Sequence, residues 1–327
     1  MVPLRKVIFA AFALASGVMG QTTSRTFHLT TVTSQAGLNE IATIIRTLGG
    51  GVPTSDAADI TVSGTDDELA FAAFLVQHLD TQNPPPTPAQ YTVSGSDPDS
   101  VRIFYLAHTP AQAPLNEFVT NLRVNADIQR IFTYSPLRAV AIRTTAAKAQ
   151  LAEWMVHQMD VSPDSHASGG RFDLATPGRP SEVVEVAYLT HPLAGPGLNE
   201  IVTTLRTVAD MQKIFTHSSA PQGMAFRNDA AHVQFADWLF HQLDALPDAR
   251  ARAQKHEYVI ADSPDPIARL YYLNTSGRQA GNEIATAIRS ETQVRRIFFC
   301  NESNTLTIRA APDAIAIAER IINEHDR

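Results

Sequence analysis

One block of polar landmarks is written four times along this chain, and that repetition constrains the fold more than any other feature. Leu38-Asn39-Glu40-Ile41 recurs as Leu115-Asn116-Glu117-Phe118, as Leu198-Asn199-Glu200-Ile201 and as Gly281-Asn282-Glu283-Ile284. The asparagines are 77, 83 and 83 residues apart. Seven residues after each comes an arginine, at Arg46, Arg123, Arg206 and Arg289. Each copy closes on an aspartate, Asp80, Asp160, Asp244 or Asp326, which follows its asparagine by 41, 44, 45 and 44 residues. Repetition at this period marks a tandem array in which each unit is one supersecondary motif. The expected division of the 327 residues is therefore 21–82, 83–161, 162–245 and 246–327, after a leader over 1–20.

Within a copy, side-chain periodicity gives the order of elements. In the second, Val101–Ala107 is β-branched and aromatic and reads as a strand. Leu115, Phe118, Val119 and Leu122 stand at helical spacing over Pro114–Val124. Arg130–Tyr134 and Ala139–Thr144 read as strands around the turn Ser135-Pro136-Leu137, and Ala146–Met159 as a second helix. The order βαββα predicts an α+β fold, two helices on one face of a small sheet. Copies three and four repeat it, with Pro312 at the start of the last helix, where its missing N–H costs nothing. Copy one has Gly49-Gly50-Gly51 and Pro53 where the middle strand should be, and is expected to lack that strand. Short alternating runs at Gln90–Val93, Arg171–Leu174 and Glu257–Ile260 precede copies two to four, each followed by a proline-containing turn, so a β-hairpin is expected to begin each module. Thr81–Gln90 reads as a stiff proline spacer, 161–179 as a flexible linker and 245–255 as a polar segment that extends the preceding helix. A unit of this size has a thin core and needs its neighbours.

Met1–Gly20 has a basic start at Arg5 and Lys6, an apolar stretch from Val7 to Leu14, and small residues up to Gly20. This is the pattern of a cleaved signal peptide, with cleavage expected near Gly20–Gln21, and its apolar run is short of the ~20 residues a spanning helix needs. The mature chain is therefore expected in the periplasm or outside the cell, with no integral membrane segment. Hydrophobic residues make up 44% and charged residues 18%, which excludes a wholly disordered chain. The net charge of −7 argues against a general phosphate-binding surface, and no helix start carries the GXXG of an RNA-binding KH domain, so no nucleic-acid partner is expected. The single cysteine, Cys300, lies in the apolar run Ile297–Cys300, where it is expected to be buried.

The run Asn301-Glu302-Ser303-Asn304-Thr305-Leu306-Thr307-Ile308-Arg309-Ala310, followed by Pro312-Asp313, Ile321-Ile322 and the closing Asp326, resembles the short periplasmic domain of bacterial secretins. Leu79-Asp80 and Leu243-Asp244 are similar closings, and Ala141-Ile142-Arg143 and Ala225-Phe226-Arg227 occupy the place of the strand that bears the arginine. The resemblance covers most of Phe27–Asp326 in four copies. It implies a KH-like, ring-building βαββα fold whose domains stack and pack side by side, bind proteins and do no chemistry. A secretin continues into a pore-forming β-domain; here the sequence ends at Arg327, and no pore is expected.

Candidate interaction residues follow from repetition. Asn39, Glu40, Arg46, Asn116, Glu117, Arg123, Asn199, Glu200, Arg206, Asn282, Glu283 and Arg289 lie nearly on one helix face and read as a contact between modules used four times; the simpler reading is complementarity with the helix dipole. Arg143, Arg227 and Arg309 pair with acids of a partner, or are solvated on the outer face of the sheet. Phe74, Trp154 and Trp238 match in the second helix and read as core. The histidines do not keep register, and there is no HExxH pair and no G-x-S-x-G, so no metal, cofactor or catalytic residue is expected. Thr65-x-x-Glu68 is a capping box and not an acid–base pair. The expected function is that of a non-enzymatic adaptor with protein partners in the cell envelope, a second copy of the chain among them, linked to secretin-type secretion or pilus assembly. The alternative is a glycan-binding module that uses Tyr271, Tyr272 or Trp238.

Overall fold

The computed structural model describes residues 22–326, apart from 57, 96, 166, 176–179, 246–253 and 276. The leader over 1–20 and most of the expected helical extension over 245–255 lie outside the described residues, and the helix before it stops at Asp244, since Ala245 has extended backbone.

The first module runs β1 (Thr23–His28), α1 (Gln35–Leu48), β2 (Val52–Asp56), β3 (Asp59–Gly64) and α2 (Asp66–Leu79), with the sheet ordered β1-β3-β2. The middle strand expected to be missing is therefore present. Pro53 is tolerated because β2 is an edge strand that pairs only with β3, so the N–H that proline lacks need not serve a second neighbour. Helix α1 ends at Gly49, which adopts φ +88°, a left-handed conformation that costs glycine little. Helix α2 starts on the expected capping box: the Thr65 side chain accepts from the Glu68 N–H, and the Glu68 carboxylate accepts from the Thr65 N–H at 2.8 Å. Thr65→Ala is expected to lower stability by about 1 kcal/mol, read as a drop in the urea midpoint, with a smaller loss for Thr65→Ser.

The second module adds a strand in front: β4 (Ala89–Thr92), β5 (Ser100–Tyr105), α3 (Ala113–Asn125), β6 (Arg130–Tyr134), β7 (Ala139–Thr144) and α4 (Ala146–Met159). The third follows with β8 (Gly170–Leu174), β9 (Glu182–Tyr188), α5 (Gly195–Val208), β10 (Lys213–His217), β11 (Gly223–Asp229) and α6 (Ala230–Asp244). The fourth comprises β12 (His256–Val259), β13 (Ile267–Tyr272), α7 (Arg278–Thr292), β14 (Ile297–Cys300), β15 (Thr305–Ala310) and α8 (Pro312–His325). Their four-stranded antiparallel sheets share one order, β4-β5-β7-β6, β8-β9-β11-β10 and β12-β13-β15-β14.

The closing aspartates lock each module onto itself. Asp80 accepts from the backbone N–H groups of Thr30 and Thr31, both at 2.7 Å. Asp160 accepts from Ala107, His108 and Thr109, Asp244 from Thr190 and His191, and Asp326 from Asn274 and Thr275. Each carboxylate thus ties the end of the second helix to the loop between the first helix and the strand before it. Burial opposes ionisation of Asp80, but its bonds from Thr31 and Thr30 outweigh burial and hold its carboxyl below the usual range.

The modules are layered, not strung out. The core around α1 and α2 continues through Val101, Ile103, Tyr134, Ala139 and Ala141, which belong to the second sheet. The α3–α4 core continues into Val184, Val186, Tyr188 and Ala225 of the third, and the α5–α6 core into Ala268, Leu270, Tyr272 and Cys300 of the fourth. Each of these three sheets is therefore covered on one face by its own helices and on the other by the helices of the preceding module. Strands β7 and β15 are buried at every position. Sheets covered on both faces tend to carry near-continuous apolar strands, as β7 does over Ala139–Ile142, whereas β15 buries Thr305, Thr307 and Arg309 on one of its faces.

Candidate protein interface: the repeated joint

Each joint sets two helices of one module against the outer sheet face of the next, and the same polar contacts recur at all three. Near the start of α1, the Glu40 carboxylate accepts from the N–H and the hydroxyl of Ser135, both at 2.8 Å. Glu117 on α3 accepts from the Ser218 N–H at 2.9 Å and its hydroxyl at 2.7 Å. Glu200 on α5 accepts from the Glu302 N–H at 3.0 Å and from Arg278. Ser135, Ser218 and Glu302 all lie just past the third strand of the following module, so one carboxylate fixes the turn there.

At the other end of the same helix the strand arginine arrives. Arg143 donates to the Leu48 carbonyl at 2.7 Å, Arg227 to Asn125 at 2.8 Å and Arg309 to Val208 at 3.3 Å. These carbonyls sit in the last helical turn, where the dipole favours a cation. Arg227 also bonds Asp127 at 2.8 Å and Glu182, and Arg309 bonds Asp210 at 3.0 Å. Burial pushes the Asp127 carboxyl up, but Lys213 and Arg227 outweigh it and hold it below the usual range. The three strand arginines are 5–7% exposed, which corrects the solvated reading: the face they occupy is closed by the preceding module.

A third contact was not anticipated from sequence. Tyr105, Tyr188 and Tyr272 donate to the carbonyls of His78, Gln158 and Gln242, each two residues before a closing aspartate. Burial pushes the Tyr105 phenol up to about 12. The tyrosine stands immediately before a leucine in Tyr105-Leu106, Tyr188-Leu189 and Tyr272-Leu273, a repeated pair that could have flagged it.

The matched aromatics of the second helix complete the joint. Phe74 packs on Tyr91 (ring centroids 5.0 Å apart), Trp154 on Phe172 (5.5 Å) and Trp238 on Tyr258 (5.4 Å), each partner lying on the first strand of the next module. They are partly buried between modules and do not lie inside one module's core. This removes Trp238 as a sugar platform; Tyr272 is buried and Tyr271 is partly buried.

The other sequence candidates separate. Arg46, Arg123, Arg206 and Arg289 donate to the carbonyls of Pro53, Ile131, Ile214 and Ile297, tying the first helix to an edge strand of its own module. Asn39, Asn116, Asn199 and Asn282 are exposed; their backbone carbonyls accept from Thr43, Thr120, Thr203 and Thr286. The Asn39 amide oxygen also accepts from Gln35 at 3.1 Å. Glu283 is exposed, on a face of α7 that no other module covers among the described residues. Of the repeated Asn-Glu-Arg set, the structure brings only Glu40, Glu117 and Glu200 across a joint.

Glu185 on β9 is a buried carboxyl beside Arg171, at 3.0 Å, and Asp237 also bonds Arg171, at 2.8 Å. In the fourth module the strand pair is swapped, with Arg269 at the place of Glu185 and Glu257 at that of Arg171, so that Arg269 lies between Glu257 and Glu319. Burial and then Asp237 push the Glu185 carboxyl up to about 7, and Arg171 only partly offsets them. Its folded value lies above an unfolded value of about 4.3, so its favourable contribution is full below pH ~4 and is lost as pH rises through about 7. Glu185→Gln is expected to raise the stability at pH 8 by roughly 2 kcal/mol relative to the parent and to leave it little changed at pH 4, as read from urea unfolding at both pH values.

Among the described residues no helix is long and apolar enough to cross a membrane, and no group of three or more His, Cys, Asp or Glu side chains is placed to hold a metal ion. No family model matches the sequence, and no curated protein matches it. Among solved structures the chain is similar to secretin N-terminal domains. It is 14% identical to Aeromonas hydrophila ExeD over 94% of this chain and 41% of that one, with a TM-score of 0.17. The secretin of the ETEC pilotin–secretin AspS–GspD complex is 12% identical over 69% and 38%, with a TM-score of 0.17. The structure XcpQN012 is 12% identical over 74% of this chain and 100% of that one, with a TM-score of 0.24. This chain thus spans about two fifths of ExeD.

Proposed function

We propose that the chain is a non-enzymatic, exported structural adaptor of the cell envelope, built to bind proteins of a secretin-type secretion or pilus machine. In this reading residues 1–20 are removed on export, and 21–82, 83–161, 162–245 and 246–327 act as four units of one array. The observation that carries it is the joint made three times over: Glu40, Glu117 and Glu200, with Arg143, Arg227 and Arg309, hold modules to one another. A chain whose repeated polar residues build a continuous stack is suited to span and position partners. The resemblance of the Asn301–Ala310 run to the secretin short domain supplies the kind of machine. Asn116 and Asn199, repeated yet exposed, mark helix faces open to such a partner.

The test is made on the full-length tagged chain in its native envelope. It is expected in osmotic-shock fluid with the mass left by cleavage near Gly20–Gln21. A photo-crosslinker at Asn116 or Asn199 is expected to give adducts with secretin-type ring subunits. Retention of the uncleaved chain in the cytoplasm would overturn export. A periplasmic chain without envelope-protein adducts would overturn the adaptor role.

A further inference from the structure

We propose that the two outer faces of the stack are caps, so that copies of this chain do not join head to tail through the contact that joins its own modules. A joint of this type is heterologous, helix face on sheet face, and nothing in its geometry limits the number of layers; left open at both ends it would build rings or fibres. Tandem arrays stop such growth with polar outer faces on the terminal repeats.

At the first sheet, both side chains that the three receiving faces share, the tyrosine and the strand arginine, have been replaced, and the front strand with its aromatic is absent among the described residues. The tyrosine position, before the leucine of the long strand, is held by His28, which bonds Asp59 at 2.5 Å. The arginine position on the return strand is Ser63, whose hydroxyl is 2.7 Å from that of Ser24. In the next row Thr26 and Thr61 pair at 2.9 Å, and Thr54 donates to the Thr61 carbonyl at 3.3 Å. Where the second sheet turns Val101, Ile103, Ala139 and Ala141 towards the helices before it, the first sheet turns out rows of hydroxyls. Among its large apolar residues only Val52 is strongly exposed, at 65%.

At the last helices the presenting face is changed as well. Glu283 keeps the place of Glu40, Glu117 and Glu200. The positions filled at the joints by Leu48, Asn125 and Val208, all wholly buried, are taken here by Glu291. The position of Phe74, Trp154 and Trp238 is taken by Arg320, six residues before the closing Asp326. Arg320 and Glu291 pair with each other across α7 and α8, and Arg320 also pairs with Glu324 at 3.2 Å. Seating a hydroxyl-lined sheet on this face would take an ion pair and several hydroxyls out of water without new partners, an unfavourable exchange. The substitutions at the two ends are independent and act in the same direction.

The experiment restores each face separately in the mature chain. One variant carries His28→Tyr with Ser63→Arg, the other Glu291→Val with Arg320→Trp. By sedimentation equilibrium the parent is expected to show no end-to-end association up to high micromolar concentration. Mixing the two variants is expected to give a one-to-one complex at least about tenfold tighter than parent self-association. Disulfide trapping reads the contact directly: Thr61→Cys mixed with Ala287→Cys is expected to give no cross-link in the parent background and to give one between the restored variants. A parent chain that cross-links efficiently between these sites overturns the proposal, and so do restored variants that fold normally yet fail to associate. If a restored variant does not fold, the parent cross-link alone decides.

Discussion

Arg227→Ala is expected to destabilise the chain by about 3 kcal/mol and to split its unfolding into two transitions, by calorimetry or by urea with two probes. The guanidinium is 6% exposed and is shared by Asp127, Glu182 and the Asn125 carbonyl. Removing it leaves the buried Asn125 carbonyl and the Glu182 carboxylate without that cation and Asp127 with Lys213 alone, and it empties the space the buried side chain fills at the second joint. Arg227→Lys keeps a charge but cannot reach three acceptors with one planar fork, so an intermediate loss is expected. Because the residue joins two modules, the effect falls on their coupling more than on either core. A single transition shifted by less than about 1 kcal/mol would mean that the joint contributes little to cooperativity.

The second large effect is expected at Asp160. Its carboxylate accepts from the backbone N–H groups of Ala107, His108 and Thr109 at 2.6, 2.9 and 2.7 Å, and from the Thr109 hydroxyl at 2.9 Å. Asp160→Ala leaves these donors with no side-chain acceptor at a bend whose path they define, and about 3 kcal/mol is expected to be lost. Asp160→Asn retains one acceptor oxygen and is expected to lose about half as much. The loop carries the chain from β5 to α3, so Asp160→Ala is also expected to speed amide exchange at Leu115 and Phe118, whereas Arg227→Ala is not. Equal exchange in the two variants would refute the separation of a lock within the module from a clamp between modules.

How far the sequence reaches is clear from particular elements. Strands Arg130–Tyr134 and Ala139–Thr144 and helix Ala146–Met159 are readable to the residue, because turn chemistry and periodicity agree there. The strand over Val52–Asp56 is hidden by Pro53, whose local rule is overridden at a sheet edge. The joint is legible in part. Repetition marks Glu40 and Arg143, but neither their direction nor their partners can be read from one module alone, since Glu40 reaches Ser135, 95 residues away. The strand Ala139-Val140-Ala141-Ile142-Arg143-Thr144 carries the missing information: it does not alternate, and a strand apolar on both sides needs two covering layers. Asp59–Gly64 does alternate, as a strand with one wet face should, and Thr23–His28 is exposed at every position except Phe27.

The matching of helix face to sheet face at every interior layer has a genetic consequence. An in-frame duplication of one interior unit, some 83 residues, would present a carboxylate, a carbonyl terminus and an aromatic to a sheet that offers a turn N–H, an arginine and a tyrosine. The added unit would find its docking chemistry already in place on both sides. The same duplication placed outside His28 or Arg320 would meet hydroxyls or an ion pair instead. The reach of the protein can therefore be lengthened or shortened by unequal recombination within its middle, while its extremities stay fixed.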